Sequence, residues 1–457
     1  MTVSDSPAAV HDRLTPRARG LLLVLCGALF LDALDVSMKG VALPSIGVDL
    51  GMSTGSLQWV VSGYVLGFGG FLLLGGRAAD LLGRRRMLIG SLAVFAVATA
   101  LGGFATSGPL LIAARFVTGI SAAFSAPAGF SIITTSFAEG PVRNKALSIY
   151  TATGATGFSL GLVAGGLLTE VSWRWVFHAP VLVALATLVG AFAVVPRSPA
   201  APGRGFDVAG SATVTGAMLL LVFTLVEAPN AGWASARTLG SLVGVAVLLT
   251  AFVVIERRVA NPLVRLGILR SGALVRGCVA AMSLLGGWVG ALFIITLYLQ
   301  DFRGWSALQT GLAVCPSGLV VAILAPRIAA PLVGRYGSGR VALAGLVSSV
   351  AAYALLQFLD ASTAYATLML PAFLLVGLAF TLTYGPLTMA AADSVPAADQ
   401  GLAGGLVNTA FQVGPALVLG VESAVVASGA DLRVAMVVPL IVAVLGAATM
   451  LPSLRRA

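Results

Sequence analysis

Three ionisable residues, Asp32, Asp35 and Lys39, interrupt the first long apolar stretch of the sequence. An α-helix turns by about 100° per residue, so their two carboxyl groups and one ammonium group project from the same face of a helix. Asp35 precedes Lys39 by four residues, the order and spacing that favour an ion pair within a helix. This face is therefore a candidate for proton transfer, and the alternative is an ion pair that only fixes helix packing.

Among the other charged residues within apolar stretches, Arg115 and Glu422 are the two that bear most on function. A charged side chain at the centre of a spanning helix costs about 2.5–3.5 kcal/mol, so each one is a candidate functional residue. Arg115, in the fourth predicted helix, lies at a depth similar to that of Asp35, and we expect the two acids and two bases to form one charge-balanced cluster. Glu422, late in the thirteenth predicted helix, is a candidate second proton or cation site, or else a hydrated acid near the outer end. The aromatic and amide residues expected to line a cavity are Tyr64, Trp288, Asn408 and Gln412.

The elements that must position these charges are membrane-spanning helices. Of the 457 residues, 58% are hydrophobic and only 10% are charged, whereas a soluble chain carries about 25% charged residues. A span needs about 20 apolar residues, and breaks at glycines, prolines and charged clusters divide the chain into fourteen such stretches. These stretches are continuously apolar rather than alternating, which excludes a transmembrane β-barrel. We predict an all-α, polytopic membrane protein with about 14 transmembrane helices.

The distribution of basic residues predicts how these helices are oriented. The net charge is +10, and most of the Lys and Arg residues fall in the tails and loops on one side of the predicted helices. The opposite side carries only Arg174, Arg237, Arg303 and Arg433. By the positive-inside rule, we expect both termini to face the cytoplasm, with the protein in the cell membrane. This bias accounts for the positive charge without a nucleic-acid partner.

The sequence offers little for metal, cofactor or enzyme chemistry. The three cysteines, Cys26, Cys278 and Cys315, fall in apolar stretches, and the two histidines are far apart in the sequence. These features predict no disulfide framework, no metal site and no cofactor. No nucleophile and base occur together in a catalytic pattern, so an enzyme is not expected.

A degenerate repeat divides the chain into two parts. The stretch GRAADLLGRRR at residues 76–86 has a weaker counterpart, GRYGSGR, at residues 334–340. Equivalent loops in two halves are typical of secondary transporters built by duplication, so we predict two six-helix bundles with two inserted helices between them. The predicted units are a cytoplasmic tail (1–19), an N-terminal bundle (20–196), a linker with the inserted helices (197–272) and a C-terminal bundle with a short tail (273–457).

Several motifs resemble those of the major facilitator superfamily, in particular its fourteen-helix drug–proton antiporter branch. Residues 34–44, LDVSMKGVALP, are similar to the helix-one signature L-D-x-T-x-x-N-x-A-L-P, and residues 76–86 resemble the loop motif after helix two. Arg115 and Gly119 match the helix-four motif R-x-x-x-G. Further branch-like stretches are WRWVF at 173–177, YLQ at 298–300 and GLAGG at 401–405. In this order and spacing, the motifs extend over almost the whole chain.

The resemblance implies a proton-coupled transporter that works by alternating access between two bundles. It implies a role for Arg115 in proton coupling and for Asp35 in the function of the helix-one motif. It also implies that Asp80 and the adjacent arginines latch the cytoplasmic side, and the alternative for the arginines is a role in topology alone. The residues of this latch are Gly76, Asp80, Gly83, Arg84 and Arg85.

The sequence departs from the branch pattern in several places. The helix-five motif G-P-x-x-G-G has Leu162 in place of its proline, which keeps a metabolite importer or symporter open as an alternative. Thr118 and Gly40 replace the usual glutamine and asparagine of the other motifs. The helix-five glycines, which allow helices to pack closely and slide, are Gly157, Gly161, Gly165 and Gly166.

Lys39 is not part of the helix-one signature, and it bears on the substrate. If its ammonium group neutralises Asp35, the cavity favours a neutral, zwitterionic or anionic substrate over a lipophilic dication. The function predicted from the sequence is proton-driven export of a small amphipathic molecule, such as a drug, antibiotic or toxic metabolite, by a monomer. The expected partners are the substrate, protons and the lipid bilayer, and the proton gradient is the energy source in place of a cofactor. A remote alternative is a membrane sensor that transports nothing.

Overall fold

Helices form the secondary structure throughout the part of the chain that the computed structural model describes. The described residues are 15–137, 141–197, 207–259, 262, 264–360, 363–396, 400–427 and 431–455. Within them, fourteen helices are long and apolar enough to cross a membrane and no strand occurs, which confirms the predicted all-α polytopic fold. Most of the predicted tail and much of the predicted linker fall on residues 1–14 and 198–206, outside the described residues.

Fifteen α-helices of the described chain make up the fourteen spans. The first eight are α1 (Pro16–Leu50), α2 (Thr54–Leu82), α3 (Arg84–Gly103), α4 (Gly108–Ser136), α5 (Pro141–Val171), α6 (Trp175–Val194), α7 (Val208–Ala231) and α8 (Ala236–Glu256). The other seven are α9 (Gly272–Leu297), α10 (Ala307–Leu324), α11 (Ala330–Tyr336), α12 (Ser338–Leu356), α13 (Leu370–Asp393), α14 (Gln400–Ala427) and α15 (Leu432–Met450). The tenth span contains both α10 and α11, joined by a π-helical turn at Ala325–Ala329. Pro326 and Pro331 lie at this break, since proline lacks the backbone N–H that continues an α-helix.

Two sets of six spans show the same pattern of packing. In the first set, α1 packs against α5 and α6, α4 packs against α2 and α3, and α3 packs against α6. In the second set, α9 packs against α14 and α15, α13 packs against α10 and α12, and α12 packs against α15. We refer to α1–α6 as the N-terminal half and to α9–α15 as the C-terminal half. The exact residue boundaries of the predicted units remain a prediction.

The repeated loop has the same backbone geometry in both halves. Gly83 ends α2 and precedes α3 with φ 97° and ψ 125°, and Gly337 ends α11 and precedes α12 with φ 82° and ψ 150°. Glycine adopts this backbone conformation readily, whereas residues with a side chain are strained there. A single glycine therefore turns the chain from one helix into the next in each half.

The two halves meet along two seams, and the inserted helices lie at one of them. α5 packs against α10 at the first seam, and α2 packs against α14 at the second. α7 and α8 pack together, and α7 also packs against both α2 and α14. Trp59 of α2 donates a hydrogen bond of 3.1 Å from Nε1 to Oε1 of Glu227 on α7. α7 contacts α14 through apolar side chains such as Leu225 and Ala416.

Candidate functional site

A carboxylate and two cations lie together inside the N-terminal half. The carboxylate of Asp35 on α1 accepts hydrogen bonds from the ammonium group of Lys39, one turn further along the same helix, and from Nη1 of Arg115 on α4 at 2.5 Å. Asp35 and Lys39 are 0% exposed and Arg115 is 2% exposed. Charges that are removed from water depend on one another for compensation, so these three side chains act as one unit. We call them the buried triad.

Aromatic rings and a backbone carbonyl complete the surroundings of the buried triad. The guanidinium group of Arg115 lies 4.7 Å from the ring centre of Tyr64, and its Nε donates a hydrogen bond of 3.1 Å to the carbonyl oxygen of Val60. The ammonium group of Lys39 lies 4.8 Å from the ring centre of Phe177. Both ring faces attract the cation next to them. The triad therefore ties α1 and α4 to α2 and α6.

Asp32 lies apart from the buried triad, although the sequence predicted one cluster of two acids and two bases. Its Oδ2 accepts a hydrogen bond of 3.3 Å from the hydroxyl group of Ser125 on α4, and it forms no ion pair with any described residue. Asp32 and Val36 are partly exposed, and Gly40, at the same four-residue spacing, is exposed. These three residues form what we call the open strip of α1. Asp35 is enclosed between helices, whereas Asp32 is partly exposed.

Glu422 on α14 is an acidic residue buried in the C-terminal half. Its side chain is 0% exposed, and neither carboxyl oxygen has a hydrogen-bond partner among the described residues. The carboxyl group faces α9, where a methyl group added to Gly290 would lie 2.5 Å from Oε1. The side chain is therefore enclosed in this conformation rather than hydrated, and it belongs to the half that does not contain the buried triad.

The other residues expected to line a cavity are distributed over both halves. Tyr64 and Trp288 are each 6% exposed. Tyr64 packs against Arg115 of the buried triad, and Trp288 meets the ring of Phe380 edge-on with ring centres 6.3 Å apart. Asn408 and Gln412 lie one turn apart on α14 and are partly exposed. The structure thus brings Tyr64 to the triad and places the remaining three in the opposite half.

The residues of the predicted latch lie around the end of α2 and the start of α3. Arg85 donates a hydrogen bond of 2.8 Å from Nη2 to the carbonyl oxygen of Phe192 near the end of α6, and Gly76 lies next to α4. Asp80 belongs to the last turn of α2, and its side chain lies outside the described residues. Arg85 is therefore anchored within its own half, and the latch itself remains a prediction.

The glycines of α5 lie at its contacts with α1 and α10. A methyl group added to Gly157 would lie 2.7 Å from a carbonyl oxygen of α1, and one added to Gly161 would lie 2.8 Å from another. Such distances leave no room for a Cβ atom, so α5 and the helix that carries Asp35 approach each other closely. Gly165 also faces α1, whereas Gly166 faces α10. Leu162, which replaces the motif proline, contacts α10 as well.

Sequence reasoning did not identify Phe177, Ser125 or Val60 as parts of this site. Phe177 belongs to the stretch WRWVF, which was informative only through its resemblance to known motifs. Ser125 is one of many small polar residues in apolar stretches, and it lies ten residues from Arg115, the charged residue of its helix, so its spacing carries no signal. Val60 contributes only its backbone carbonyl oxygen, which every residue possesses. Phe177 could have been found only by asking which aromatic side chains lie at the same depth in the membrane as Lys39.

The packing pattern and the buried charges together define a class of protein. Two matching sets of six spans, with an inserted pair of helices, form the architecture of a secondary transporter. Charged residues enclosed within spanning helices are typical of such proteins. Within the described residues, no group of three or more His, Cys, Asp or Glu side chains is placed to hold a metal ion.

Comparison with known proteins identifies the family. The sequence profile of the Major Facilitator Superfamily matches residues 25–419 and, in a second match, residues 328–455. The chain belongs to this superfamily, which confirms the resemblance predicted from its motifs. The crystal structure of the human organic anion transporter MFSD10 (TETRAN) has the same fold, with a TM-score of 0.69 at 18% sequence identity over 96% of this chain and 100% of that chain.

Several relatives of similar length are export or resistance proteins. The chain is 38% identical over 411 residues to the puromycin resistance protein pur8 of Streptomyces alboniger, which covers 88% of this chain and 80% of that protein. It is 37% identical over 424 residues to the cephamycin export protein CmcT of Amycolatopsis lactamdurans, with 91% and 86% covered. It is 31% identical over 427 residues to the tetracenomycin C resistance and export protein of Streptomyces glaucescens, with 91% and 79% covered.

Proposed function

We propose that this protein is a proton-coupled exporter of small amphipathic molecules in the cell membrane. Three of its relatives are named for resistance to, or export of, puromycin, cephamycin and tetracenomycin C. These names support an antibiotic or a compound of similar size and polarity as the substrate. Export proceeds by alternating access, in which the two halves expose a central site first to one side of the membrane and then to the other.

The main support for proton coupling in this proposal is the buried triad. Asp35 binds a cation on its own helix and Arg115 on α4 at 2.5 Å, and all three side chains are enclosed. A proton reaches Asp35 only after α1 moves relative to α4 or α6. Protonation of Asp35 in turn weakens its attraction to Lys39 and Arg115, which favours the separated arrangement of these helices. Protonation and helix packing therefore shift one another, as a proton-driven conformational cycle requires.

The remaining predicted residues have supporting roles in this proposal. The N-terminal bundle (20–196) and the C-terminal bundle (273–457) rock about the two seams, and the close approach of α5 to α1 and α10 lets small movements reach Asp35. Asp32 and Glu422 are further groups for proton transfer. The Asp80 latch closes the cytoplasmic side, where both termini lie. The protein works as a monomer, because each monomer contains both halves of the cycle.

Transport by the purified protein in proteoliposomes tests this proposal. Radiolabelled puromycin is added outside vesicles whose lumen is acidic, and protein-free vesicles correct for passive trapping of a weak base. An antiporter accumulates the compound as protons leave the lumen, and we expect Asp35→Asn to abolish this gradient-driven accumulation. Accumulation driven by an acidic exterior would establish symport, the alternative that Leu162 keeps open. Accumulation that does not depend on either gradient would refute proton coupling.

A further inference from the structure

We infer that Glu256 binds a proton and donates it in a hydrogen bond to Asp207, and that this bond fastens the inserted helices in a pH-dependent way. The site belongs to α7, α8 and the chain that follows α8, so it lies outside both halves and apart from the buried triad. The inference goes beyond the proposed function, because the proposed cycle assigns no proton to the inserted pair. It depends on the position of the two carboxyl groups, on a buried oxygen of Asp207 that has no partner, and on the apolar contacts next to them.

Asp207 and Glu256 come together where α7 begins and α8 ends. Asp207 caps α7, because its Oδ1 accepts a hydrogen bond of 2.8 Å from the backbone N–H of Gly210. A methyl group added to Gly210 would collide with Oδ2 of Asp207 and would lie 2.6 Å from Oε1 of Glu256. Both oxygens therefore face the same point on α7, and they are neighbours.

One oxygen of Asp207 requires a hydrogen-bond donor. Asp207 is 6% exposed and Glu256 is 5% exposed. Oδ2 of Asp207 has no hydrogen-bond partner among the described residues, and Asp207 forms no ion pair with any of them. A buried carboxylate oxygen without a partner is destabilising, and a second negative charge facing it adds to the cost. A proton on Oε1 of Glu256 removes both costs, because the acid then donates to Oδ2.

The ends of the two helices indicate which group carries the proton. Asp207 lies at the N-terminal end of α7, where the helix dipole and the backbone N–H groups stabilise a negative charge. Glu256 is the last residue of α8, and the dipole at a C-terminal end destabilises a negative charge. Oε2 of Glu256 accepts a hydrogen bond of 3.0 Å from the backbone N–H of Val264. A neutral Glu256 thus accepts with Oε2 and donates with Oε1.

The other charged groups of the elements around this pair are arginines. In the described part of the chain they are Arg77 near the end of α2, and Arg257, Arg258 and Arg265 after α8. The three that follow α8 are exposed, and Arg77 is partly exposed. Water and salt screen charges at such positions. The arginines therefore do not replace the donor that Oδ2 of Asp207 lacks.

The proposed hydrogen bond lies next to the contacts that join the inserted pair to both halves. Val264, whose N–H binds Glu256, belongs to one apolar cluster with Val214 of α7 and Phe252 of α8. Leucines of α2 and of α14 pack against this cluster. When Glu256 loses its proton, two buried carboxylates face each other, and their repulsion separates the start of α7 from the end of α8. Loss of the proton therefore loosens the inserted pair where it meets α2 and α14.

Hydrogen–deuterium exchange of the purified protein in nanodiscs, without a proton gradient, tests this inference. The backbone amides of Gly210 and Val264 are followed from about pH 6 to about pH 9 and corrected for the intrinsic exchange rate at each pH. In Glu256→Gln, the side-chain amide donates to Asp207 as the protonated acid does, and it carries no proton that titrates. Glu227→Gln is the matched control, because it replaces an acid near the opposite end of α7. Size-exclusion profiles establish that each variant remains folded.

In the wild type, we expect the protection of both amides to fall as the pH rises, by up to about 10-fold per pH unit, the slope for one bound proton. The direction follows because the proton binds the closed arrangement and is lost at high pH. Glu256→Gln should keep the low-pH protection at every pH, and Glu227→Gln should follow the wild type. Infrared spectra at low pH should show one carboxylic-acid band fewer in Glu256→Gln than in the wild type.

Three results would overturn the inference. They are wild-type protection that does not depend on pH, loss of the low-pH protection in Glu256→Gln, and recovery of protection at high pH on addition of sodium or magnesium ions. The last result would mean that a metal cation rather than a proton joins the two carboxyl groups.

These outcomes are independent of the proposed transport. If protection follows the protonation of Glu256 while vesicles show no gradient-driven transport, the proposed function fails and the assignment of Glu256 stands. If gradient-driven export is intact while protection does not depend on pH, the assignment of Glu256 fails and the proposed function stands.

Discussion

The two halves of the protein bury acidic residues in opposite ways. In the N-terminal half, Asp35 is bound by Lys39 and Arg115, and each cation also lies against an aromatic ring. In the C-terminal half, Glu422 is just as enclosed and has no hydrogen-bond partner among the described residues. Asp35 lies on α1, which packs against α5, and Glu422 lies on α14, which packs against α9. These two helix pairs occupy equivalent places in the two halves. The same scaffold therefore accommodates a compensated charge in one half and an isolated carboxyl group in the other.

This difference predicts that replacing Asp35 and replacing Glu422 will affect the stability of the protein to different extents. Removing one member of a buried ion group leaves its partners uncompensated, whereas an isolated carboxyl group can be replaced by an amide of the same size with few interactions lost. Asp35 is therefore expected to matter for folding as well as for transport. Glu422 is expected to matter for transport alone, which makes it the cleaner probe of proton movement.

Asp35→Asn should be the most damaging single change. It leaves Lys39 and Arg115 buried without their carboxylate, so the free energy of unfolding should fall by about 3–5 kcal/mol. Thermal unfolding in detergent, followed by tryptophan fluorescence, measures the effect. The double variant Asp35→Asn/Lys39→Met removes one of the two cations as well, and it should regain part of the stability but not the gradient-driven transport. A melting temperature of Asp35→Asn equal to that of the wild type would contradict the role of the triad.

Gly161→Ala and Gly290→Ala compare the equivalent helix pairs of the two halves. The methyl group at Gly161 would lie closest to Oγ of Ser37 and also 2.8 Å from the backbone carbonyl oxygen of Leu34, whereas at Gly290 the three nearest atoms all belong to side chains, the first being Oε1 of Glu422 at 2.5 Å. A backbone atom yields less than the end of a flexible side chain, so Gly161→Ala should cost about 1–3 kcal/mol of stability and Gly290→Ala less. Melting temperatures of the two variants in the same detergent check this order. The reverse order would mean that the carboxyl group of Glu422 is held more rigidly than its contacts indicate.

Phe177→Leu should have a smaller effect that is specific to the N-terminal half. Phe177 supports the ammonium group of Lys39 from 4.8 Å, and loss of the ring should cost about 0.5–2 kcal/mol beyond the loss of packing. Phe95→Leu is the matched control, because Phe95 is buried in the same half and measures the packing loss alone. Urea or thermal unfolding of both variants gives the difference. If the two variants lose the same amount of stability, the ring of Phe177 does not stabilise the ammonium group of Lys39.

Glu422→Gln should change stability least. Because neither carboxyl oxygen has a partner among the described residues, the free energy of unfolding should stay within about 0.5 kcal/mol of the wild type. Gradient-driven export should fall, since the amide carries no exchangeable acid proton, while exchange of substrate across vesicles without a gradient should persist. Proton counts per substrate, measured with a pH-sensitive dye in the lumen, give the stoichiometry. A loss of stability as large as that of Asp35→Asn would mean that the two halves do not differ in the way described.

The sequence was sufficient for the fold and for part of the site. Hydropathy alone located the helices, because a chain in lipid has to satisfy its backbone within helices. The four-residue spacing predicted the contact between Asp35 and Lys39, and similar depth predicted that of Arg115 with Asp35. Angles around a single helix also grouped Asp32 with them, but such angles do not say where neighbouring helices pack. α4 and α6 enclose one side of this face and leave Asp32 at its edge.

Glu422 illustrates the same limit in the other half. From the sequence, an acid late in its helix is equally consistent with contact with water and with burial. What encloses it is α9, where the missing side chain of Gly290 leaves room for the carboxyl group of Glu422. This contact joins residues that are far apart in the chain, and neither the spacing around Glu422 nor that around Gly290 specifies it. Tertiary packing decides the environment of an isolated charge, whereas local spacing is enough for an ion pair within one helix.

The hydrogen bond between Trp59 and Glu227 bears on how the spans would group in the proposed transport cycle. It joins α7, and with it α8, to α2, in addition to the apolar side chains of α2 and of α14 that both pack against α7. We therefore expect the inserted pair to travel with the N-terminal half. One moving body then contains eight spans and the other contains six. The body with eight spans has the longer boundary with lipid. Because viscous drag from the bilayer falls mainly on that body, the smaller one should rotate through the greater angle.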